Sequence, residues 1–324
     1  MAHVARITRT GGPEVIEWVE TDLPKPGEGE VRIRATAVGL NYIDTYHRTG
    51  LYSIELPAIL GSEGAGVVEA VGEGVTGFAE GDRVGTFGPS RGAYATERNV
   101  KAAELVKLPD GIADRDAAAL LLKGCTAEFL IERCARVEQG QTVLVYAAAG
   151  GVGHILVGWL KAIGATVIGV VGSKGKAETA KAIGADHVIR HDQEDIAARV
   201  REITNGAGVP VVLDGVGKAT WQASLDSAAR RGLIVSYGNA GGQVDGVNLG
   251  VIAQKGSLFV TRPILFDYVP GPADKQAAVD RLFAMVEKGA VSARIGQTFA
   301  LADAAEAHRA IEASDTEGAT VLLP

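Results

Sequence analysis

The sequence predicts an α/β protein in which a doubly wound parallel sheet is inserted into a mainly β domain. Three observations predict it. Residues 1–122 carry short, glycine-punctuated strand patterns, residues 123–262 alternate apolar strands with helices, and residues 263–324 return to helices and one closing strand. A chain of 324 residues suits two domains of roughly 150 residues each.

In the first segment, VARITRTGGP, EVRIRATAVGL, EGAGVVEAVGEGV and GDRVGTFG set short apolar runs between turn residues. That is the pattern of a small, irregular, mostly β domain. The rhythm then changes. QTVLVYA reads as a buried strand, HILVGWLKAIG as a helix, ATVIGVVG as a strand and KAETAKAIG as a helix. DHVIR, VPVVLDGV, LIVSYGN and SLFVTRP follow as strands, with helices at EDIAARVREITNG and TWQASLDSAARRG. Such alternation implies right-handed crossovers and a parallel sheet. Two helices, ADKQAAVDRLFAMVEKG and LADAAEAHRAIEA, and the strand ATVLLP complete the first domain, so the expected boundaries are 1–122 plus 263–324 around 123–262.

Charge narrows the functions. With 32 Lys and Arg against 39 Asp and Glu, the net charge is −7, and an acidic surface repels phosphate backbones and anionic lipid. Neither nucleic acid nor membrane is an expected partner. The N-terminus lacks the apolar core of a secretory signal, and Cys125 and Cys134 are too few for a disulfide framework, so the expected compartment is the cytoplasm.

The strongest motif is Ala147-Ala148-Ala149-Gly150-Gly151-Val152-Gly153, between a strand and the helix it opens. A dinucleotide's pyrophosphate is held at such a turn, where backbone amides at a helix N-terminus face the anion. Gly150 admits close backbone approach, Gly153 lets the helix pack on its strand, and Ala148 replaces the first glycine of the usual fingerprint. The second strand ends in Gly172-Ser173-Lys174-Gly175-Lys176, with no carboxylate for ribose hydroxyls. Ser173 and Lys176, with Lys174 less central, instead suit a 2′-phosphate, which selects NADPH over NADH.

These residues make the chain recognisable. GSEGAG at 61–66, VGEGVTGFAEGDRV at 71–84, AAAGGVG at 147–153 and GSLFVTRP at 256–263 resemble the zinc-free, zeta-crystallin-like quinone reductases of the medium-chain dehydrogenase/reductase superfamily. So do Asn41 to Tyr46 and SYGNAGG at 236–242, and the likeness runs through essentially the whole chain. The resemblance implies a Rossmann domain inserted in a chaperonin-10-like domain. It further implies that Ile43, Asp44, Tyr46, Lys123, Thr126 and Phe129 line the nicotinamide. Gly151 and Val152 should meet the pyrophosphate and Ser173 and Lys176 the adenosine phosphate. Tyr237, Gly238, Asn239, Ala240, Arg262, Pro263 and Ile264 should close the site.

Two positions depart from the family. His191 stands where a tyrosine commonly meets the adenosine phosphate, and is either a phosphate partner or a surface histidine at a strand end. Glu128 and Phe129 replace a more usual aromatic or apolar pair. The resemblance also bears on metal. Where alcohol-dehydrogenase relatives hold catalytic zinc through Cys and His, this chain has Asn41 and Ser62, which do not suit it, and no metal is expected. Without a Lewis acid the substrate must accept hydride readily. Three readings stand: quinone reduction, reduction of 2-alkenals, enones or enoyl thioesters, and a non-catalytic NADPH-binding or RNA-binding role. Asn41, Tyr46 and Tyr52 are the candidates for orienting an acceptor oxygen, with no essential acid assigned. A homodimer is expected through the apolar strand at 257–263, an exposed sheet edge that a second copy would cover.

Overall fold

The structure is a computed structural model that describes residues 1–314 and 316–324. Its strands and helices begin β1 (Ala2–Ile7), β2 (Glu17–Thr21), β3 (Glu30–Leu40), α1 (Tyr42–Thr49), β4 (Ala58–Ile59) and β5 (Glu63–Val71). Next come β6 (Arg83–Phe87), β7 (Glu97–Lys101), β8 (Leu105–Lys107), α2 (Asp114–Glu128), β9 (Thr142–Tyr146), α3 (Gly153–Ala162), β10 (Thr166–Val171) and α4 (Lys174–Ile183). The middle continues with β11 (His187–Arg190), α5 (Ile196–Ile203), β12 (Val209–Asp214), α6 (Trp221–Ser227), β13 (Ala228–Ser236), α7 (Leu249–Gln254) and β14 (Phe259–Thr261). The chain closes with α8 (Leu265–Tyr268), α9 (Pro272–Glu287), β15 (Ile295–Ala300), α10 (Ala304–Glu312) and β16 (Ala319–Leu323).

Two compact units result. One holds Met1–Lys123, Val269–Val279 and Ala293–Pro324; the other holds Gly124–Tyr268 and Asp280–Ser292. The halves of α9 thus fall in different units.

The first unit is built on a seven-stranded sheet, β15-β16-β3-β5-β6-β8 with β7 also on β3, and a small sheet β2-β1-β4. The long strand β3 organises it, pairing antiparallel with β16, β5 and β7. Ile7, Val38, Leu40, Leu60, Tyr94, Leu301 and Leu322 form one core; Val31, Ile33, Val68, Val84 and Val100 form a second.

The second unit is a six-stranded parallel sheet in the order β11-β10-β9-β12-β13-β14. The order reverses direction beside β9, so the turn after β9 opens at the switch point where ligands of such sheets bind. Leu144, Ile168, Val170, Ile189, Val212 and Ile234 supply its core. The fold is the Rossmann-like α/β arrangement the alternation predicted, with β14 outermost.

The structure departs from the sequence expectation at three elements, α6, α1 and α2. The helix predicted over TWQASLDSAARRG stops at Ser227: β13 begins at Ala228, which pairs with Val209, the strand bulges through left-handed Arg231 (φ 57°), and Leu233 resumes register against Val211. Sheet pairing outweighs helix propensity there. Within the strand-like segment, α1 and α2 are helices. The pattern for α1 was present in Asn41 as N-cap, Asp44 three residues on, and left-handed Gly50 at the end.

Candidate active site

The candidate cofactor edge lies in the second unit. Between β9 and α3, Ala147 takes a left-handed conformation (φ 51°), its carbonyl accepting from Gly150 N–H at 2.8 Å. Ala148, in the first-glycine position, lies outside the left-handed region; the strained residue is its neighbour. An added Cβ on Gly153 would stand 2.0 Å from the Ala147 carbonyl oxygen, so only glycine lets α3 start this close to the turn. Gly150, Gly151 and Val152 sit half-buried along the turn.

At the end of β10, Ser173 caps α4, its Oγ accepting from Lys176 N–H at 3.3 Å. Ser173 and Lys174 are exposed, Lys176 is half-buried, and the first turn of α4 carries no carboxylate. The positive end of a helix dipole therefore carries two lysines in its first turn. His191 joins them: an added Cβ on Gly172 would lie 2.8 Å from its Nε2, so the imidazole covers the residue before Ser173.

Elsewhere in this unit, Arg262 donates to the Ser236 and Gly238 carbonyls, both at 2.8 Å, tying the chain before Pro263 and Ile264 to the segment that carries Tyr237, Asn239 and Ala240. Phe129, almost fully buried, stacks on Tyr268 at 4.8 Å between ring centroids, with Thr126 half-buried one turn earlier. The helix widens just beyond, where Ala135 N–H reaches back five residues to the Leu130 carbonyl at 2.9 Å.

The first unit gathers the remaining candidates around buried charge. Asn41 caps α1. The Asp44 carboxylate reaches back to its N–H (2.9 Å) and also accepts from Ser62 Oγ (2.8 Å) and Tyr94 Oη (3.2 Å). Complete burial pushes the Asp44 carboxyl up to about 6, against the lowering effect of those donors and of Lys123. Glu63, also fully buried, accepts from Leu122 N–H (2.7 Å) on one oxygen. On the other it takes Asn41 Nδ2 (2.9 Å) and Lys123 Nζ (3.0 Å). Ile43 is half-buried on the first turn of α1. Tyr46, buried on the same helix, meets Tyr52 edge-to-face at 5.2 Å between ring centroids.

A relay continues behind Asp44. Arg48 donates to His308 Nδ1 at 3.1 Å and to Glu312, and His308 Nε2 lies 3.1 Å from Tyr94 Oη. A guanidinium only donates, so Nδ1 must accept, Nε2 carries the proton, and the Tyr94 hydroxyl is left to donate to Asp44. Burial and the neighbouring Arg48 bring the His308 imidazole down to about 3, and burial with Asp44 raises the Tyr94 phenol well above its ordinary value. Both stay neutral near pH 7, and every hydrogen bond in the relay has one direction.

The sequence reading found Asn41, Asp44 and Lys123, and missed Glu63, Tyr94, His308 and Arg48. A signal existed for the pair: Glu63 and Lys123 are lone, opposite charges inside the apolar runs GSEGAGVV and LLLKGC. A buried charge demands a partner. Zinc does not fit these residues. Asn41 and Ser62 spend their hydrogens on Glu63 and Asp44, and an ammonium, not a thiolate or imidazole, stands beside Asn41. Among the described residues there is no cluster of three or more His, Cys, Asp or Glu arranged for a metal, and no helix is long and apolar enough to cross a membrane.

Comparison with known proteins agrees with this layout. Residues 27–110 match the family model described as "Alcohol dehydrogenase GroES-like domain", and residues 151–296 the one described as "Zinc-binding dehydrogenase". The chain is 50% identical to a quinone oxidoreductase of Pseudomonas aeruginosa over 100% of both chains. It is 44% identical to a 2-haloacrylate reductase of a Burkholderia species, covering 100% of this chain and 99% of that one. The crystal structure of Escherichia coli quinone oxidoreductase complexed with NADPH superposes with a TM-score of 0.97 at 42% identity, over 100% of both chains. Full-length identity at this level, with both family models matched in order, places the chain in the quinone oxidoreductase family of medium-chain dehydrogenases/reductases.

Proposed function

We propose that the protein is an enzyme that reduces quinones with NADPH and without metal. The carrying observation is the α4 N-terminus, where Ser173, Lys174, Lys176 and His191 surround the end of β10 and no acidic side chain stands in the first turn. A dianionic 2′-phosphate gains charge-assisted hydrogen bonds there that NADH cannot offer. The NADPH complex of the Escherichia coli relative supports the same cofactor.

Residues 123–262 form the cofactor domain in this reading. Gly150, Gly151 and Val152 hold the pyrophosphate, while Tyr237 to Ala240 and Arg262 to Ile264 close the site. Ile43, Asp44, Tyr46, Lys123, Thr126 and Phe129 line the nicotinamide. Bound NADPH supplies the hydride. The protein orients the acceptor, with Asn41, Tyr46 and Tyr52 as hydrogen-bonding candidates, and excludes water from the reaction. A second acceptor class has its own support: the 2-haloacrylate reductase relative is named for an activated alkene.

The reading includes a homodimer paired through β14, supported by the exposed Phe259 (58%) and Val260 (38%) on this outermost strand. Light scattering should give twice the 33.5 kDa chain mass, and a single-chain mass at micromolar concentration contradicts it. It also includes a reducing cytosolic setting, which suits the thiols of Cys125 and Cys134.

Anaerobic cofactor oxidation against quinones, alkenals and enoyl thioesters tests the function. Quinones should be reduced, NADPH should outperform NADH, and a chelator should change nothing. Absence of turnover with every acceptor, or equal use of the two cofactors, would overturn the proposal.

A further inference from the structure

We infer that Lys123 is a catalytic electrophile: its buried ammonium hydrogen-bonds the carbonyl oxygen of the acceptor and holds the negative charge that collects there during reduction. The inference rests on the proposed reductase activity and adds the acceptor side of it.

An ammonium has three N–H donors. Lys123 is 5% exposed, so water does not satisfy them, and among the described residues its only hydrogen-bond partner is Glu63 Oε2, at 3.0 Å. Burying unused donors of a charged group is expensive and is tolerated where a ligand completes them. Glu63 does not swing away to offer more, because Leu122 N–H and Asn41 Nδ2 occupy its remaining capacity. Asp44 sits close enough to act electrostatically on the ammonium, so two carboxylates hold its charge in place. The result is a rigid cation with donors to spare, next to an amide that shares its anchor.

That is the chemistry a carbonyl acceptor needs. Hydride adds to the β-carbon of an enone or to the quinone ring system, the π electrons move to oxygen, and an oxyanion forms. Lys123 stabilises that oxyanion by hydrogen bonding and keeps its own proton; solvent protonates the reduced product after release. Donors aimed at developing charge in a water-poor site act mainly on the transition state. The dependence on Lys123 follows the acceptor. A strongly oxidising quinone reacts through an early transition state with little charge on oxygen, whereas a 2-alkenal or 2-haloacrylate reacts late, with much.

The experiment compares wild type with Lys123→Met and, to keep the buried pair neutral, Lys123→Met/Glu63→Gln. NADPH binding followed by fluorescence identifies folded protein. Lys123→Met should cut kcat for a 2-alkenal about 100-fold, and that for 1,4-benzoquinone by about tenfold or less. A second reading needs no turnover: 4-nitrophenol, an oxyanion probe, should ionise at lower pH when bound to wild type than in water, and should lose that shift in both variants. Equal losses for the two acceptors, or a bound nitrophenol that titrates alike in all three proteins, would overturn the assignment. A wild type that ionises nitrophenol yet reduces neither acceptor supports the donor role and sinks the reductase reading alone.

Discussion

The cofactor edge of the second unit and the buried cluster of the first use charge in opposite ways. Ser173, Lys174 and His191 stand in solvent around one helix N-terminus. Asp44, Glu63, Lys123, Arg48 and His308 are withdrawn from it almost completely. An exposed cation contributes little until a ligand's charge arrives, because water screens it. A buried one affects folding as much as chemistry, because losing its partner leaves a desolvated charge. The fold therefore tolerates substitution at the edge, while the cluster must stay complete.

The largest effect should come from breaking the buried pair. Glu63→Leu strands the Lys123 ammonium and removes the buried carboxylate to which Leu122 N–H and Asn41 Nδ2 also donate, which should cost about 3–5 kcal/mol in denaturant unfolding. By contrast, Ser173→Ala removes only a helix cap at an exposed position and should cost about 1 kcal/mol. Similar losses for the two would dissolve the distinction between the regions.

The pH dependence of stability sharpens it. The Asp44 carboxyl moves up from 3.8 to about 6 on folding, so the folded state binds its proton more tightly and Asp44 removes stability as pH rises through that window. The buried histidines run the other way. His308 falls from 6.5 to about 3 and His47 from 6.5 to about 4, so each removes stability as pH falls below 6.5. Between about pH 4 and 6 each contributes roughly 1.4 kcal/mol per pH unit, one sloping down with pH and two up. Asp44→Asn deletes the opposing slope and should about double the steepness of acid destabilisation there. An unchanged slope would mean that Asp44 titrates as it does in water.

A smaller effect belongs to the edge. Lys176→Ala should weaken NADPH binding about tenfold and leave NADH binding nearly unaltered, since only NADPH carries the second anion; a half-buried ammonium sits at the modest end of charge-assisted contacts. Equal weakening of both cofactors would place Lys176 at the pyrophosphate or in the support of α4.

The contrast also explains what could be read from the sequence. The stretches 147–153 and 172–176 are contiguous, each between a strand and a helix of clear period, so local pattern was enough to place both turns. The buried cluster draws on Asn41, Asp44, Arg48, Ser62, Glu63, Tyr94, Lys123, His308 and Glu312, which β3, β5, α1, α2 and α10 assemble across 272 positions of chain, counting from 41 to 312. No spacing rule links them. Resemblance named Asn41, Asp44 and Lys123, but the relay through Tyr94 and His308 emerges only from distances. The short helix α1 escaped because its capping pattern sits between strand-like runs, and α6 was drawn too long because the pairing of Ala228 with Val209 is a tertiary contact.

One measurement asks most directly whether the edge selects the cofactor and the buried cluster serves the acceptor. Initial rates with NADPH and NADH, each against benzoquinone and a 2-alkenal, should be taken for wild type, Lys176→Ala, Lys123→Met and the double variant. Lys176→Ala should change only the ratio between cofactors, Lys123→Met only the ratio between acceptors, and the two changes should multiply in the double variant. A Lys176→Ala enzyme whose preference shifts between acceptors as much as between cofactors would contradict it.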